Sequence, residues 1–104
     1  LSGGVNIYPQ EIENALSTHP SVADVAVIGV PNAEFGQEVK AVVELLPGAP
    51  PLSEAELIAF ARTHLAHFKA PRSIDFSDAL PRLPNGKLLR RRLVEQYSTP
   101  KDQA

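Results

Sequence analysis

The feature of this sequence most suggestive of chemistry is a lysine placed at a sharp turn. Pro81 and Pro84 stiffen the chain, and Asn85-Gly86-Lys87 is typical of a tight turn because Asn and Gly tolerate positive φ. Leu89 and Leu93 then share one face of a predicted helix, which would anchor the turn from behind. A lysine ammonium is cationic at neutral pH. Such a cation can orient anions and compensate their charge rather than transfer protons, although a Gly-Lys pair taken alone is more often a loop lysine without a function.

Other polar groups support weaker hypotheses. His64 and His67 lie three residues apart near the end of a predicted helix, but two histidines without a third ligand make a poor metal site, so we expect no metal here. Arg90–Arg92 could bind phosphate, yet three consecutive helical residues spread around the helix and form no single patch. The Gly3-Gly4 pair lacks the G-x-G-x-x-G pattern, which excludes a dinucleotide fingerprint.

The composition is that of a single soluble globular domain. The chain has 104 residues, of which 43% are apolar and 21% are charged. A net charge of −2 argues against a general nucleic-acid surface, and no apolar run is long enough to span a membrane. There is no cysteine, which suits the cytoplasm. Methionine is also absent and the chain opens on Leu1-Ser2-Gly3-Gly4, so we expect a piece of a longer polypeptide.

The first half of the chain reads as a helix followed by two strands. Pro9 fits the first turn of a helix that His19-Pro20 ends. Val22–Val30 is apolar on both faces apart from Asp24, which predicts a central strand covered from both sides. Val39–Leu46 alternates and predicts a second strand, most simply antiparallel to the first because their connection is short.

The second half adds two helices and a short strand. Ser53–Glu56 has the pattern of a capping box and begins a helix. Ser73–Phe76 predicts a third strand, and a last helix runs from Leu88 or Leu89 to about Gln96. Residues 98–104 are expected to form a frayed tail. The order α-β-β-α-β-α predicts an α+β domain with a small, mostly antiparallel three-stranded sheet flanked by helices.

The lysine turn and the start of the chain both resemble one enzyme superfamily. Pro81, Gly86-Lys87 and the Leu-Arg and leucine positions that follow are similar to the last motif of the adenylate-forming enzymes, which include acyl-CoA synthetases, peptide-synthetase adenylation domains and beetle luciferases. Residues 2–13, which include the sequence Asn6-Ile7-Tyr8-Pro9, resemble the motif that follows the hinge in acyl-CoA synthetases. The resemblance covers nearly all of residues 1–97.

The resemblance implies a mobile C-terminal lid over residues 1–97. Such a lid docks on its own large N-terminal domain, which holds ATP, Mg²⁺ and the carboxylic acid and would lie outside this chain. The family forms acyl-AMP from the acid and ATP, and then transfers the acyl group to coenzyme A. We therefore expect an acid–thiol ligase acting on a fatty or other organic acid, with no nucleic-acid partner. The 104-residue chain alone is expected to fold but not to catalyse.

The same resemblance assigns roles to six residues. It implies that Lys87 is the catalytic lysine of adenylate formation and that Asn6 and Gly86 approach the nucleotide. In the second step the lid rotates, and Gly3-Gly4 would let the backbone pass close to the pantetheine arm. Arg62 matches a helix position that meets a phosphate of coenzyme A in some relatives.

Two alternatives remain open on the sequence. The first keeps adenylation but changes the acceptor, as in a peptide-synthetase adenylation domain or a luciferase-like enzyme. The second is a stand-alone interaction module that binds phosphorylated partners through Arg62, Lys69 and Arg90–Arg92. Two departures from the family pattern are Val5, where some relatives have a polar side chain, and Asn85, where Thr or Ser is usual.

Overall fold

Three helices and three strands follow one another in the order predicted from the sequence. The computed structural model describes residues 8–34, 36–66 and 69–98. The elements in chain order are α1 (Pro9–Ser17), β1 (Val22–Asn32), β2 (Gly36–Leu45), α2 (Glu54–His64), β3 (Ser73–Phe76) and α3 (Arg90–Ser98). The α+β class is confirmed.

The sheet is mixed. β1 and β2 pair antiparallel from Val22 opposite Leu45 to Asn32 opposite Gly36, which confirms the predicted pairing. β3 pairs with β2 in parallel, because α2 lies between them in the chain and returns it to the same end of the sheet. One of the two strand pairings is therefore antiparallel and the other is parallel.

Helices cover both faces of the sheet. One face packs against α1 and α2, and the other packs against α3 and Leu80. On the first face the buried residues are Ile12, Leu16, Val25, Val27, Val43, Leu57, Ala61 and Ile74, among others. On the second face they are Ala26, Ile28, Val30, Val42, Leu80 and Leu93. Residues alternate between the faces along β1, as the strand period requires.

The predicted place of β1 in the sheet is wrong. The strand order is β1-β2-β3, so β2 is central and β1 lies at an edge of the described sheet. β1 is apolar on both sides because helices cover both of its faces, and this burial does not require a strand on each side. The prediction that both faces are covered is confirmed.

Local signals set most of the helix ends. Pro9 occupies the first turn of α1, and Ser53 and Glu56 form the predicted capping box of α2, with bonds of 3.1 and 3.0 Å. The end of α3 differs from the prediction. The helix continues to Ser98, which was expected to begin the tail. Tyr97 packs partly buried against the second face of the sheet, and this contact explains the extension.

Candidate functional site

Lys87 lies on a small hairpin between β3 and α3. Its arms are joined by a bridge between Arg82 and Leu88 and by a bond of 2.9 Å from the Leu83 N–H to the Lys87 carbonyl. The Gly86 N–H donates to the Leu83 carbonyl at 2.8 Å, and Gly86 has a φ of 91°. A turn closed in this way and followed by a left-handed glycine is a common three-residue hairpin loop. The predicted tight turn is confirmed, but the positive φ is at Gly86 and not at Asn85, whose side chain instead accepts from the Lys87 N–H.

The main chain on both sides of Lys87 is hydrogen-bonded, whereas its side chain is exposed. The Lys87 N–H donates to Oδ1 of Asn85 at 3.0 Å. The carbonyl oxygen of Gly86, in the same peptide group, accepts from Nη1 of Arg82 at 2.6 Å. The Lys87 ammonium therefore extends from a hydrogen-bonded main chain into solvent, where an anion can reach it.

An ion pair joins this hairpin to the edge of the sheet. Nε and Nη2 of Arg82 donate to the two carboxylate oxygens of Asp24 at 2.6 and 2.9 Å. These hydrogen bonds raise the pKa of the Arg82 guanidinium above its ordinary value. A register irregularity between Val22 and Asp24 lies at this point of β1, and such bulges often redirect a side chain. Asp24 also accepts from the Val25 N–H at 2.9 Å, so its carboxylate is held in place.

A second carboxylate fixes the start of the same segment. Glu44 lies opposite Asp24 on β2, and its Oε1 accepts from the Leu80 N–H at 3.2 Å. The Leu80 side chain is buried in the second face of the sheet, and Leu88 packs partly buried against the same cluster. The hairpin is thus anchored by apolar contacts at its base and by carboxylates from two strands.

The start of α3 is tied to α1 and β1 by a buried carboxylate. Glu13 is only 9% exposed, and its Oε2 accepts from the Val27 N–H at 2.8 Å and from Nη1 of Arg90 at 3.1 Å. Nη1 of Arg90 also donates to the Val27 carbonyl. Arg90 is three residues after Lys87, so this network fixes the chain on the far side of the lysine as well.

A shallow open groove of about 470 Å³ lies beside the lysine. It is lined by residues 87–92 and Glu95, and it therefore combines the Lys87 cation with the basic start of α3. An open groove of this kind suits a surface that completes its site against another domain, since it encloses no ligand by itself.

The structure brings together only some of the residues singled out from the sequence. Lys87 and Gly86 share the hairpin, whereas Arg62 is exposed on α2, which packs on the opposite face of the sheet. Gly3, Gly4, Asn6 and His67 lie outside the described residues. No group of three or more His, Cys, Asp or Glu side chains that could hold a metal ion occurs in ranges 8–34, 36–66 and 69–98.

The basic residues of the interaction-module alternative are dispersed. Lys69 pairs with Glu11 at 3.0 Å and Arg90 pairs with Glu13, so two of these cations are engaged within the domain. Arg62 is on α2, which packs on the opposite face of the sheet from α3. The structure therefore forms no common phosphate-binding patch from this set.

Sequence reasoning missed the residues that hold the hairpin. Arg82 and Asp24 are 58 residues apart in the chain, so their pairing is a property of the tertiary structure. A signal existed nonetheless, since Asp24 is the single charged residue in an otherwise apolar strand. Asp24 is partly buried, with 27% of its side chain exposed, and a carboxylate partly removed from water favours a basic partner packed against that strand.

The described residues thus form an exposed lysine on a hydrogen-bonded hairpin beside a groove with a basic lining. The chain belongs to the AMP-binding enzyme C-terminal domain family, whose model matches residues 11–87.

Three similar proteins illustrate the family. A long-chain-fatty-acid–CoA ligase of Bacillus subtilis is 47% identical over 96 residues, which are 92% of this chain and 17% of that protein. The fatty acid–[acyl-carrier-protein] ligase ScoC of Streptomyces coeruleorubidus is 44% identical over 93% of this chain and 18% of its own length. ATP-bound MatB from Rhodopseudomonas palustris superposes with a TM-score of 0.86 at 43% identity, covering 92% of this chain and 19% of that one.

The chain therefore spans less than a fifth of the length of these relatives. Within the part that the structure describes, no helix has both the length and the apolar character needed to cross a membrane.

Proposed function

We propose that this chain is the C-terminal catalytic lid of an AMP-forming acyl-CoA synthetase. It works against a large N-terminal domain that binds ATP, Mg²⁺ and a carboxylic acid. Support for such a domain is that the chain spans only 17% of a similar ligase. The observation that carries this proposal is the exposed Lys87 on a hydrogen-bonded turn in a domain of the AMP-binding C-terminal family. The acid is a fatty or other organic acid, in line with the ligase names among the relatives.

In the first half-reaction a carboxylate oxygen attacks the α-phosphorus of ATP. The new O–P bond forms as the bond to pyrophosphate breaks, and acyl-AMP results. Two anions must approach each other in this step, and the Lys87 ammonium compensates their charge and orients the reacting oxygens. Gly86 lets the main chain come close to the nucleotide, and Asn6 contributes a polar group to nucleotide binding.

In the second half-reaction the thiolate sulfur of coenzyme A attacks the acyl carbonyl carbon and AMP leaves. Gly3 and Gly4 accept the pantetheine arm at the backbone, and Arg62 pairs with a phosphate of coenzyme A. This division is supported by the placement of α2 and the Lys87 hairpin on opposite faces of the sheet. A lid that turns between the two steps would present these faces in succession.

A second candidate keeps the adenylation step and changes the acceptor thiol. It is favoured by the similarity to ScoC, whose name gives an acyl carrier protein as the acceptor. Gly3 and Gly4 would accept the pantetheine arm in the same way. Arg62 would have no role, because its proposed partner is a phosphate of coenzyme A. Comparing coenzyme A with an acyl carrier protein as acceptor separates the two candidates.

The test is the rate of adenylate formation, followed as ATP–pyrophosphate exchange by the complete ligase. We expect Lys87→Ala to lower this rate by about 100-fold or more, the usual size of an effect on a preorganised charge. Lys101→Ala, which lies beyond the matched residues 11–87, is the control and should keep the parental rate. The 104-residue chain alone should show no exchange. Normal exchange by the Lys87→Ala enzyme would disprove the role given to this lysine.

A further inference from the structure

The hairpin that carries Lys87 is too small to hold its own orientation. Its arms are linked by the bridge between Arg82 and Leu88 and by two backbone bonds, from the Leu83 N–H to the Lys87 carbonyl at 2.9 Å and from the Leu89 N–H to the Pro81 carbonyl at 2.8 Å. An isolated two-stranded hairpin is at best marginally stable in water. Contacts between the hairpin and the sheet must therefore decide where the lysine points.

One side chain makes this connection directly to the turn. The Arg82 guanidinium uses Nε and Nη2 on Asp24 of β1 and Nη1 on the Gly86 carbonyl. The plane of the guanidinium presents these donors in a fixed arrangement, so the carboxylate and the carbonyl are held relative to each other. The edge of the sheet is thereby linked to the turn through a single rigid group.

The peptide group that Arg82 holds is the one that immediately precedes Lys87. Its carbonyl oxygen accepts from Arg82, and its N–H donates to the Asn85 side chain. The next carbonyl, that of Lys87 itself, accepts from Leu83. The direction in which the lysine side chain leaves the backbone is consequently fixed, and only its flexible four-carbon stem remains free.

We propose that Arg82 is a positioning residue for Lys87, acting through the Gly86 carbonyl and held by Asp24. The expected effect of Arg82 on adenylate formation rests on the proposed function. The expected effect of Arg82 on the orientation of the turn does not. Arg82 does not touch the substrate. It sets the volume that the Lys87 ammonium can reach when the lid closes, and it therefore serves the adenylation step alone.

Arginine is required here because of its geometry. A lysine at position 82 could pair with Asp24, but its ammonium lacks the planar fork that serves the carboxylate and the Gly86 carbonyl together. Arg82→Lys therefore keeps the charge and removes the positioning. Arg82→Gln removes both. Asp24→Asn keeps an oxygen for the Val25 N–H and removes the charge that holds Arg82.

The first measurement is amide hydrogen exchange on the 104-residue chain. It tests the clamp, meaning the contacts of Arg82 with Asp24 and the Gly86 carbonyl, and it requires no enzymatic assay. The Leu83 and Gly86 N–H groups donate within the hairpin. We expect Arg82→Gln and Arg82→Lys to speed their exchange by about tenfold, as local opening becomes easier. Amides in the centre of β2, such as that of Val42, should be unchanged, which shows that the domain remains folded.

The second measurement is made on the complete ligase, with the two half-reactions assayed separately. We expect Arg82→Gln and Arg82→Lys to lower adenylate formation by about 10- to 100-fold, because a misplacement of about 1 Å has effects of this size. Thioester formation from supplied acyl-AMP should stay within about twofold. The double variant Arg82→Gln/Asp24→Asn should lose no more than Arg82→Gln, since the two residues act as one unit.

Glu11→Gln is the matched control. It also removes a carboxylate from a pair with a basic side chain, that of Lys69 at 3.0 Å, but on α1, which packs on the opposite face of the sheet from the hairpin. It should change neither the exchange of the Leu83 and Gly86 amides nor adenylate formation.

The outcomes distinguish this proposal from the proposed function. If amide exchange at Leu83 and Gly86 is unchanged in the Arg82 variants, the clamp is disproved, whatever the rate of adenylate formation. Faster exchange with normal adenylate formation overturns the positioning role, provided that Lys87→Ala is inactive in the same assay. If Lys87→Ala is active, the proposed function fails while the exchange result still reports on the clamp. Full activity of Arg82→Lys would show that charge alone suffices and would also overturn the proposal.

Discussion

Gly86 supplies the backbone conformation that allows a lysine to follow a tight turn directly. Its φ of 91° lies in the left-handed region, which side chains with a Cβ rarely adopt. A Cβ at this position would meet nothing within 4 Å, so space is not the constraint. The need for glycine is therefore conformational, and replacing it tests the turn without creating a clash.

We predict that Gly86→Ala and Gly48→Ala have similar effects on stability and different effects on activity. Both glycines have positive φ, 91° and 77°, with open space around the missing Cβ. Each substitution should lower the free energy of unfolding by about 1 kcal/mol, the typical strain of alanine in this region. Gly86→Ala should also slow adenylate formation, because the turn next to Lys87 changes. Urea denaturation and pyrophosphate exchange measure the two quantities.

Gly48→Ala is the control, since it lies in the loop after β2 and away from the hairpin. Equal loss of activity in both variants would mean that general destabilisation, and not the turn, explains the effect.

The sequence predicted the turn but could not predict what holds it. Pro84, Asn85 and Gly86 act through their own backbone preferences, so neighbouring residues suffice to identify them. The partners of Arg82, by contrast, are Asp24 and the Gly86 carbonyl, which meet only after the strands have paired. Asp24 was visible as an isolated charge in an apolar strand, but its partner was not.

At the scale of elements, the buried Glu13 network joins α1, β1 and α3. Glu13 accepts from the Val27 N–H and from Arg90, and Arg90 also donates to the Val27 carbonyl. One carboxylate thus holds the first helix, an edge strand and the start of the last helix. The sequence alone does not reveal this role, because an acidic residue near the start of a helix is favourable there and is ordinarily solvated.

We predict that Glu13→Gln destabilises the domain by about 1 to 3 kcal/mol, the range for a hydrogen-bonded buried charge that loses its complement. The amide can still accept from one donor, but it has no charge to balance Arg90. Glu11→Gln should cost less than about 1 kcal/mol, because the Glu11 carboxylate is exposed and surface ion pairs contribute little. The free energies of unfolding in urea provide the comparison. Equal effects of the two substitutions would contradict the structural role of Glu13.

The three strands and the antiparallel pairing of β1 with β2 were predicted correctly, but the central place predicted for β1 was wrong. Hydrophobic pattern reports which faces of a strand are covered, and β1 is covered on both. It does not report which strands lie beside it, since an edge strand under two layers of helices has the same pattern as a central one. The parallel pairing of β3 with β2 was equally hidden, because it depends on where α2 returns the chain.

At the scale of the whole molecule, the sheet separates two sets of proposed functional residues. α1 and α2, with Arg62, cover one face, and α3 and the Lys87 hairpin lie on the other. A domain docked by one face cannot present the other to the same ligand. If both sets serve one active site, the domain has to turn between the two half-reactions.

We therefore predict that Lys87→Ala and Arg62→Ala impair different steps of the complete ligase. Lys87→Ala should suppress adenylate formation and leave thioester formation from supplied acyl-AMP largely intact. Arg62→Ala should do the reverse, raising the KM for coenzyme A by about 3- to 10-fold, since a charge-assisted contact at an exposed site contributes modestly. Gly3→Leu should also act on the second step alone, because its side chain would obstruct the pantetheine arm. The experiment measures both half-reactions in all three variants. Equal loss of both steps in every variant would mean that one undivided surface serves both reactions, and the turning lid would have to be abandoned.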